Sequence, residues 1–315
     1  MRAYNAAYTD EHLNRVAFPL GGIGAGMVCL EGTGALSHVS LRHRPDVFNE
    51  PMVFAALHVG GAKTARVLEG PVPHWKAFGP AGAGNGANGR SYGLPRFAKA
   101  AFTARFPFGT VSLDDPGMPV RVELTGWSPF IPGDADNSSL PVAALEYRLV
   151  NRSAKPIRGA FSFHAVHFMK TGENIGASVE PLDGGFVLAQ APVADKPWDE
   201  GHFAAFSTDP AAQADCAWFR GGWFDPVTMI WKRVAAGQSV ARGPHGDGKP
   251  GGGGSLYVPF RLKAKAEKTI RLLLAWYVPR SQVRAGAETE AACAPDCACG
   301  PDGGSKKPAP AGYTP

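Results

Sequence analysis

Residues 127–150 read WSPFIPGDADNSSLPVAALEYRLV, a Pro-broken polar loop running into the most regular strand of the chain. From Val142, the residues Ala143, Leu145, Tyr147 and Leu149 alternate with Ala144, Glu146, Arg148 and Val150, so one side is apolar and the other carries charge. That period of two marks a half-buried strand, because a helix would spread the charges around its circumference. A polar turn, NRSAKP at 151–156, leads into IRGAFSFHAVHFM at 157–169, where Phe161, Phe163 and Ala165 share a face. The spacing predicts a long antiparallel hairpin across that turn, with further strands covering its apolar side.

Working outward, residues 53–58 and 63–68 predict a second hairpin, and strands are expected at 101–106, 109–113, 120–125, 185–188, 202–207, 218–223, 256–262 and 269–277. The turn signal DDPG at 114–117 separates two of them. Forty glycines and 28 prolines fit many turns between short strands, and 44% hydrophobic residues fit a globular chain. The fold class expected is all-β: a large two-layer antiparallel β-sandwich with long loops over 1–290, followed by a flexible Cys/Gly/Pro-rich linker over 291–315. Residues 248–254, GKPGGGG, read as an exposed flexible loop, and a short helical turn fits 280–293.

Composition limits function. A formal charge of +5, from 32 Lys and Arg against 27 Asp and Glu, is dispersed along the chain, and no nucleic-acid reading motif accompanies it. No apolar run approaches the roughly 20 residues needed to span a bilayer. The N-terminus lacks the apolar core of a secretory signal, so a cytoplasmic location is expected. Five cysteines argue against a disulfide framework: Cys29 and Cys216 are isolated, and Cys293, Cys297 and Cys299 crowd the end, where they could offer three thiolates to a soft metal but no nearby fourth ligand.

Two glycine-dense stretches invite a phosphate-binding reading. VAFPLGGIGAG at 16–26 is followed by β-rich sequence where the fingerprint needs a helix, so closely packed backbones are the simpler account. GPAGAGNGANG at 79–89 satisfies G-x-G-x-x-G at Gly84, Gly86 and Gly89 without the flanking strand and helix. A loop of that length is either functional or disordered, and Gly84, Asn85, Gly86, Asn88 and Arg90 are its candidate contacts to a pocket rim.

Other candidates for chemistry are sparse. The stretch from Asp134 to Ser138 begins like a calcium loop but has Ser139 and Leu145 where glycine and glutamate are required, leaving an Asx-type turn or a non-standard metal site. Asp134/Asp136 and Asp199/Glu200 are paired carboxylates. His164 and His167, three apart on a strand, face opposite ways and cannot share a metal. Of the seven tryptophans, most are expected in the core, and an exposed one could stack on a sugar. No cofactor is called for.

Three segments together carry a resemblance. FPLGGIGAGMV at 18–28, GNGANGRSYGLPRFAKAAFTARFPFGTVSL at 84–113 and WSPFIPGDADNSSLPVAALEYRLVN at 127–151 resemble the N-terminal domain of glycoside hydrolase family 116, the group of bacterial β-glucosidases and non-lysosomal glucosylceramidases. The likeness covers most of residues 15–280. It implies a two-layer sandwich that partners a helical (α/α)6 catalytic domain of the same polypeptide, which would hold the nucleophile and the acid/base and act on a β-glucoside by a retaining mechanism. Those catalytic residues have no counterpart in this chain, which is therefore expected to be inactive alone. Two further readings remain: a stand-alone carbohydrate-binding or structural sandwich, and a sandwich enzyme of the aldose-epimerase type with a histidine and a carboxylate in one cleft.

Overall fold

The computed structural model describes residues 4–60, 64–77, 91–172, 175–221 and 225–281. Its strands, in chain order, are β1 (Tyr8–Thr9), β2 (Ala17–Leu20), β3 (Met27–Glu31), β4 (Leu36–Ser40), β5 (Val53–Gly60), β6 (Thr64–Val67), β7 (Lys99–Arg105), β8 (Phe108–Asp114), β9 (Val120–Trp127), β10 (Val142–Asn151), β11 (Ile157–Val166), β12 (Ala177–Leu182), β13 (Gly185–Gln190), β14 (Gly201–Ser207), β15 (Gln213–Asp215), β16 (Gly253–Leu262) and β17 (Glu267–Tyr277). They form a nine-stranded sheet ordered β1-β7-β8-β9-β10-β17-β14-β13-β12, a five-stranded sheet ordered β15-β16-β11-β5-β6, and a three-stranded sheet β2-β3-β4. All pairings between these strands are antiparallel.

The strand read first sits at the centre of the larger sheet, between β9 and β17. Its alternation is the register: Leu145, Tyr147 and Leu149 are buried, while Glu146 pairs with Arg271 and Arg148 with Glu267 on the other face. One core joins both layers, with Leu145, Leu272 and Phe186 from the nine-stranded sheet meeting Phe161, Phe163 and Val258 from the five-stranded sheet and Leu20 and Leu30 from the three-stranded one. The two smaller sheets thus make the second layer of the sandwich.

The expected mid-chain hairpin is not formed. β10 and β11 lie in different sheets, and the segment between them is an arch that crosses from one layer to the other. Asn151 explains why: fully buried, it donates from Nδ2 to the carbonyls of Lys155 and Lys263 and accepts at Oδ1 from Ser153, so its side chain satisfies backbone groups that a hairpin would pair across the turn. Tyr147 and Phe161 then meet through the core, their rings tilted by 50° with centroids 4.8 Å apart.

A helix adds a cover. α1 (His74–Ala77) and α2 (Ala135–Ser138) are single turns, but α3 (Pro226–Ala235) lays Val227, Ile230 and Val234 on the outer face of the five-stranded sheet, against Phe54, Ala56 and Trp218. Asp225 caps it by accepting from Thr228 N–H, and Pro226 opens its first turn. Trp218, expected on a strand, is instead a buried loop residue whose ring helps to close this second core. The glycine run at 251–254 is also not an open loop. β16 begins inside it, and a Cβ on Gly253 would lie 2.3 Å from the Ala165 carbonyl and 2.6 Å from the Trp218 ring. Only glycine allows that approach.

Candidate functional site

Strand register decides which loops meet. The last residues of β7, β9 and β17 and the first residues of β8, β10 and β14 lie side by side, as the pairs Arg105↔Phe108, Phe108↔Trp127, Val142↔Ala275 and His202↔Tyr277 require. The turn at 21–26 joins them, because a Cβ on Gly22 would lie 2.3 Å from the Leu140 carbonyl and one on Gly21 would lie 3.2 Å from the Trp276 ring. The close backbone approach expected for this glycine stretch is therefore what it provides, with Ile23 N–H bonded to the Ser138 carbonyl at 2.8 Å. The loop 41–49 folds onto the same end: Phe48 N–H bonds His38 Nδ1, Asn49 bonds Val39, and His43 Nε2 donates to the Val278 carbonyl at 2.7 Å.

This end collects apolar side chains that the core does not use. Among the described residues, the exposed large hydrophobics are Tyr4, Ile23, Val47, Phe48, Phe106, Phe108, Phe130, Ile131, Leu140, Ile175, Tyr277 and Leu182. All but Leu182 lie at the end just described. Tyr4 joins them because Arg105 donates to the carbonyl of the adjacent Asn5, and Ile175 because Ala177 pairs with Gln190, which pairs in turn with Gly201. Phe106 and Phe130 meet edge to face at 4.9 Å, leaving both partly open to solvent. Beyond Tyr277 the chain leaves the sandwich through Val278 to Ser281 at this same end. Scattered exposed apolar residues are ordinary, whereas these are gathered at one end of the sandwich.

Beside it, a buried charge network ties down both flanks of residues 78–90. Lys76 Nζ donates to Glu31 Oε1 at 2.5 Å and to Glu50 Oε1 at 2.8 Å, while Tyr92 Oη donates to Glu50 Oε2 at 2.9 Å. Arg96 binds Glu69 and the carbonyls of Ser91, Tyr92 and Leu94. Burial pushes the Glu69 carboxyl up, and the Arg96 guanidinium opposes that push. The pocket-rim candidates themselves, Gly84, Asn85, Gly86, Asn88 and Arg90, lie outside the described residues, as do the thiols Cys293, Cys297 and Cys299.

The remaining sequence candidates are placed apart. Asp134 caps α2, accepting from Asn137 at the backbone and at Nδ2, which is the Asx-type arrangement and draws its carboxyl below the usual range. Asp199 belongs to a different loop, whose backbone carbonyls hold the Arg42 guanidinium. His164 is buried between the hydroxyls of Ser255 and Ser162, at 2.8 and 2.9 Å, and His167 donates to the Ser178 carbonyl at 2.7 Å. Burial lowers them to about 3 and about 4, so both are neutral core histidines, and neither is bonded to the carboxylate that an epimerase-type site needs. Trp218 and Trp276 are buried, Trp75, Trp127, Trp198 and Trp231 are half-buried, and Trp223 lies outside the described residues. Among the described residues, no tryptophan presents an open stacking platform.

A cavity of about 650 Å³ lies away from the apolar end, between residues 9–14, residues 71–74 and the β7–β8 pair near Lys99 and Asp114. Its walls contain no Trp, Tyr or Phe. Among the described residues, no group of three or more His, Cys, Asp or Glu side chains is placed to hold a metal, and no helix is long and apolar enough to cross a membrane.

Comparison with known proteins agrees with the geometry. The curated proteins contain no match. Among solved structures, a polysaccharide lyase is similar over 88% of this chain and 33% of its own length, at 9% identity and a TM-score of 0.34, so this chain spans about a third of that protein. The family model described as beta-glucosidase 2, glycosyl-hydrolase family 116 N-term, matches residues 17–293, from β2 to beyond the last strand. The chain belongs to the N-terminal domain family of glycoside hydrolase family 116.

Proposed function

We propose that this chain is a non-catalytic N-terminal sandwich that docks, through its apolar end, on the helical (α/α)6 catalytic domain of a retaining β-glucosidase or glucosylceramidase-like hydrolase. The observation that carries the reading is the confinement of the exposed large hydrophobics to the end where the chain leaves β17. An end of that kind exposed in isolation would be covered by a domain continuing from the same exit, since interfaces within one chain commonly bury about 600–1,500 Å². Membership of the N-terminal domain family supports reading the parent as a glycoside hydrolase.

Retaining hydrolysis needs two carboxyl groups about 5–5.5 Å apart, one to attack the anomeric carbon and one to shuttle the proton. In this reading the catalytic domain supplies both. The sandwich supplies a rigid wall, and Gly84, Asn85, Gly86, Asn88 and Arg90 are proposed as its contacts to the rim of the substrate pocket, between flanks fixed by the Lys76 and Arg96 networks. The domain boundary is proposed near residue 290, with 291–315 as the connector. We place the protein in the cytoplasm, a reading supported by Cys29 and Cys216, both buried and unpaired, with thiols pushed up to about 11 by burial.

The test compares residues 1–315 with the polypeptide extended through its catalytic domain, on an aryl β-glucoside and in thermal melts. The short form should be inactive, and the extended form active and higher melting. Turnover by the short form that disappears when Asp134, Asp136, Asp199 or Glu200 is neutralised would move the chemistry into the sandwich and overturn the reading.

A further inference from the structure

The docking end is not apolar throughout. Two adjoining cavities, of about 290 and about 310 Å³, open between the loop 41–49, residues 168–171 and the exit after β17. Arg42, Arg44 and Thr171 belong to both, Lys170 lines one, and Arg280 lines the other. Arg42 is held by neutral acceptors: its guanidinium donates to the carbonyls of Met169 and Asp199 at 2.9 Å and to those of Trp198 and Glu200 at 3.3 Å. Its charge therefore meets no hydrogen-bonded carboxylate. Arg44, Lys170 and Arg280 make no hydrogen bond or ion pair among the described residues, and Thr171 Oγ1 is enclosed without a partner. The walls also hold Asp46 and Asp199, and the carboxylate of neither accepts from these cations. Among the described residues, four cations against two carboxylates leave an excess of positive charge.

Elsewhere Arg66, Arg148, Arg152, Arg220 and Arg271 are each paired with an Asp or Glu of the sandwich itself, whereas Arg121, Arg158 and Arg261, like Arg44, join no ion pair among the described residues. What sets the basic pocket apart is its place inside the apolar end, where docking would strip water from it. Desolvating unpaired cations costs several kcal/mol per ion unless a partner returns the interaction. The covering surface must therefore bring negative charge with it.

We propose that this basic pocket is an ionic socket that receives a carboxylate-bearing loop of the catalytic domain when the two domains dock. The proposal rests on the docking reading and adds the chemistry of the partner surface. A planar guanidinium at Arg44 and another at Arg280, both lining one cavity, suit a carboxylate held by paired N–H donors. Such complementarity fixes the register of an interface as much as its strength.

The experiment uses melting temperatures of the double variant Arg44→Glu, Arg280→Glu, made both in the extended polypeptide and in residues 1–315. Arg42 is left intact because its carbonyl contacts hold the loops together. In the extended polypeptide the double variant should melt about 2–4 °C lower at low salt, and the difference should shrink at roughly 1 M salt, where the screening length is about 3 Å. In residues 1–315 the same changes should leave the melting temperature unchanged or raise it, because they relieve repulsion with Lys170 and Arg42. An equal fall in both forms would assign these cations to the sandwich interior and sink the socket. A fall in the short form reproduced by Glu288→Gln with Glu290→Gln would make the chain's own C-terminal segment the occupant, which also overturns it. A companion pair, Ile23→Ser with Phe48→Ser, reads docking itself. If that pair lowers the melting of the extended polypeptide and the charge variant does not, the socket fails and docking stands; if neither does, both fail.

Discussion

Acidification should unfold this sandwich through two histidines that have no role at its surface. His164 is fully buried, with the Phe54 ring 4.8 Å and the Tyr257 ring 5.6 Å away. Trp218 Nε1–H donates to Ser255 Oγ at 2.8 Å, and the two ring nitrogens of His164 are bonded to the Ser255 and Ser162 hydroxyls. A second proton would place a positive charge in a buried site whose hydrogen-bond partners are neutral hydroxyls. Burial accordingly lowers His164 to about 3 and His167 to about 4, against an unfolded value near 6.5.

The sign follows directly. Between about pH 6.5 and the folded values, the unfolded chain binds protons that the folded chain refuses, so stability falls as pH falls and levels off below about pH 3 to 4. Each histidine contributes up to about 1.4 kcal/mol per pH unit. At about pH 5, one and a half units below the unfolded value, each has removed about 2 kcal/mol, or about 4 kcal/mol together. Urea denaturation at about pH 8 and about pH 5 measures the difference. Single variants His164→Asn and His167→Asn should each start less stable at the higher pH and each lose about half of the pH dependence. If the double variant kept the full dependence, the buried neutral histidines would not be its source.

Three further expectations follow from the packing. A double-mutant cycle between Tyr147→Leu and Phe161→Leu should give a coupling of about 0.5–1.5 kcal/mol, since the rings meet across the two layers; zero coupling would contradict the arch between β10 and β11. Asp215→Ala should cost about 3–5 kcal/mol, because the buried carboxylate takes Arg233 and both donors of Arg242, and removing it leaves two cations facing an empty site. Gly253→Ala should cost about 1–3 kcal/mol by overpacking against Ala165 and Trp218, and a neutral result in chemical denaturation would place the start of β16 elsewhere.

What the sequence reveals about this fold is what is local. The alternation at 143–149 sets the faces of β10, and strands were legible wherever period-two runs were bounded by turn residues, as at Val120–Trp127 and Glu267–Tyr277. Pairing was legible for the hairpin read at 53–58 and 63–68, which β5 and β6 form, but not for the long mid-chain strands. Residues 151–156 look the same in a hairpin and in an arch, and the difference lies in Lys263, more than a hundred residues away, which supplies a carbonyl to Asn151. α3 did carry a local signal that the sequence reading passed over: Asp225 and Pro226 make a cap and first turn, and Val227, Ile230, Trp231 and Val234 follow helical spacing. The glycines at 251–254 were misread because composition cannot tell a mobile loop from a backbone pressed against an indole ring. The apolar end was the least legible feature. It is assembled from residues 4, 23, 47–48, 106–108, 130–140, 175 and 277, and no window of sequence contains more than a fraction of it.

The central claim, that this end is the face on which the catalytic domain docks, is tested most directly by hydrogen exchange on residues 1–315 and on the extended polypeptide. The account predicts that residues 21–26, 41–49 and 129–141 gain protection when the catalytic domain is present. Under the same comparison, the turns at the far end of the sandwich, residues 114–120, 151–156 and 182–185, should exchange at the same rate in both. Protection gained at those far turns, or over α3, with none at the glycine turn and the loop 41–49, would place the partner on another surface and contradict the account.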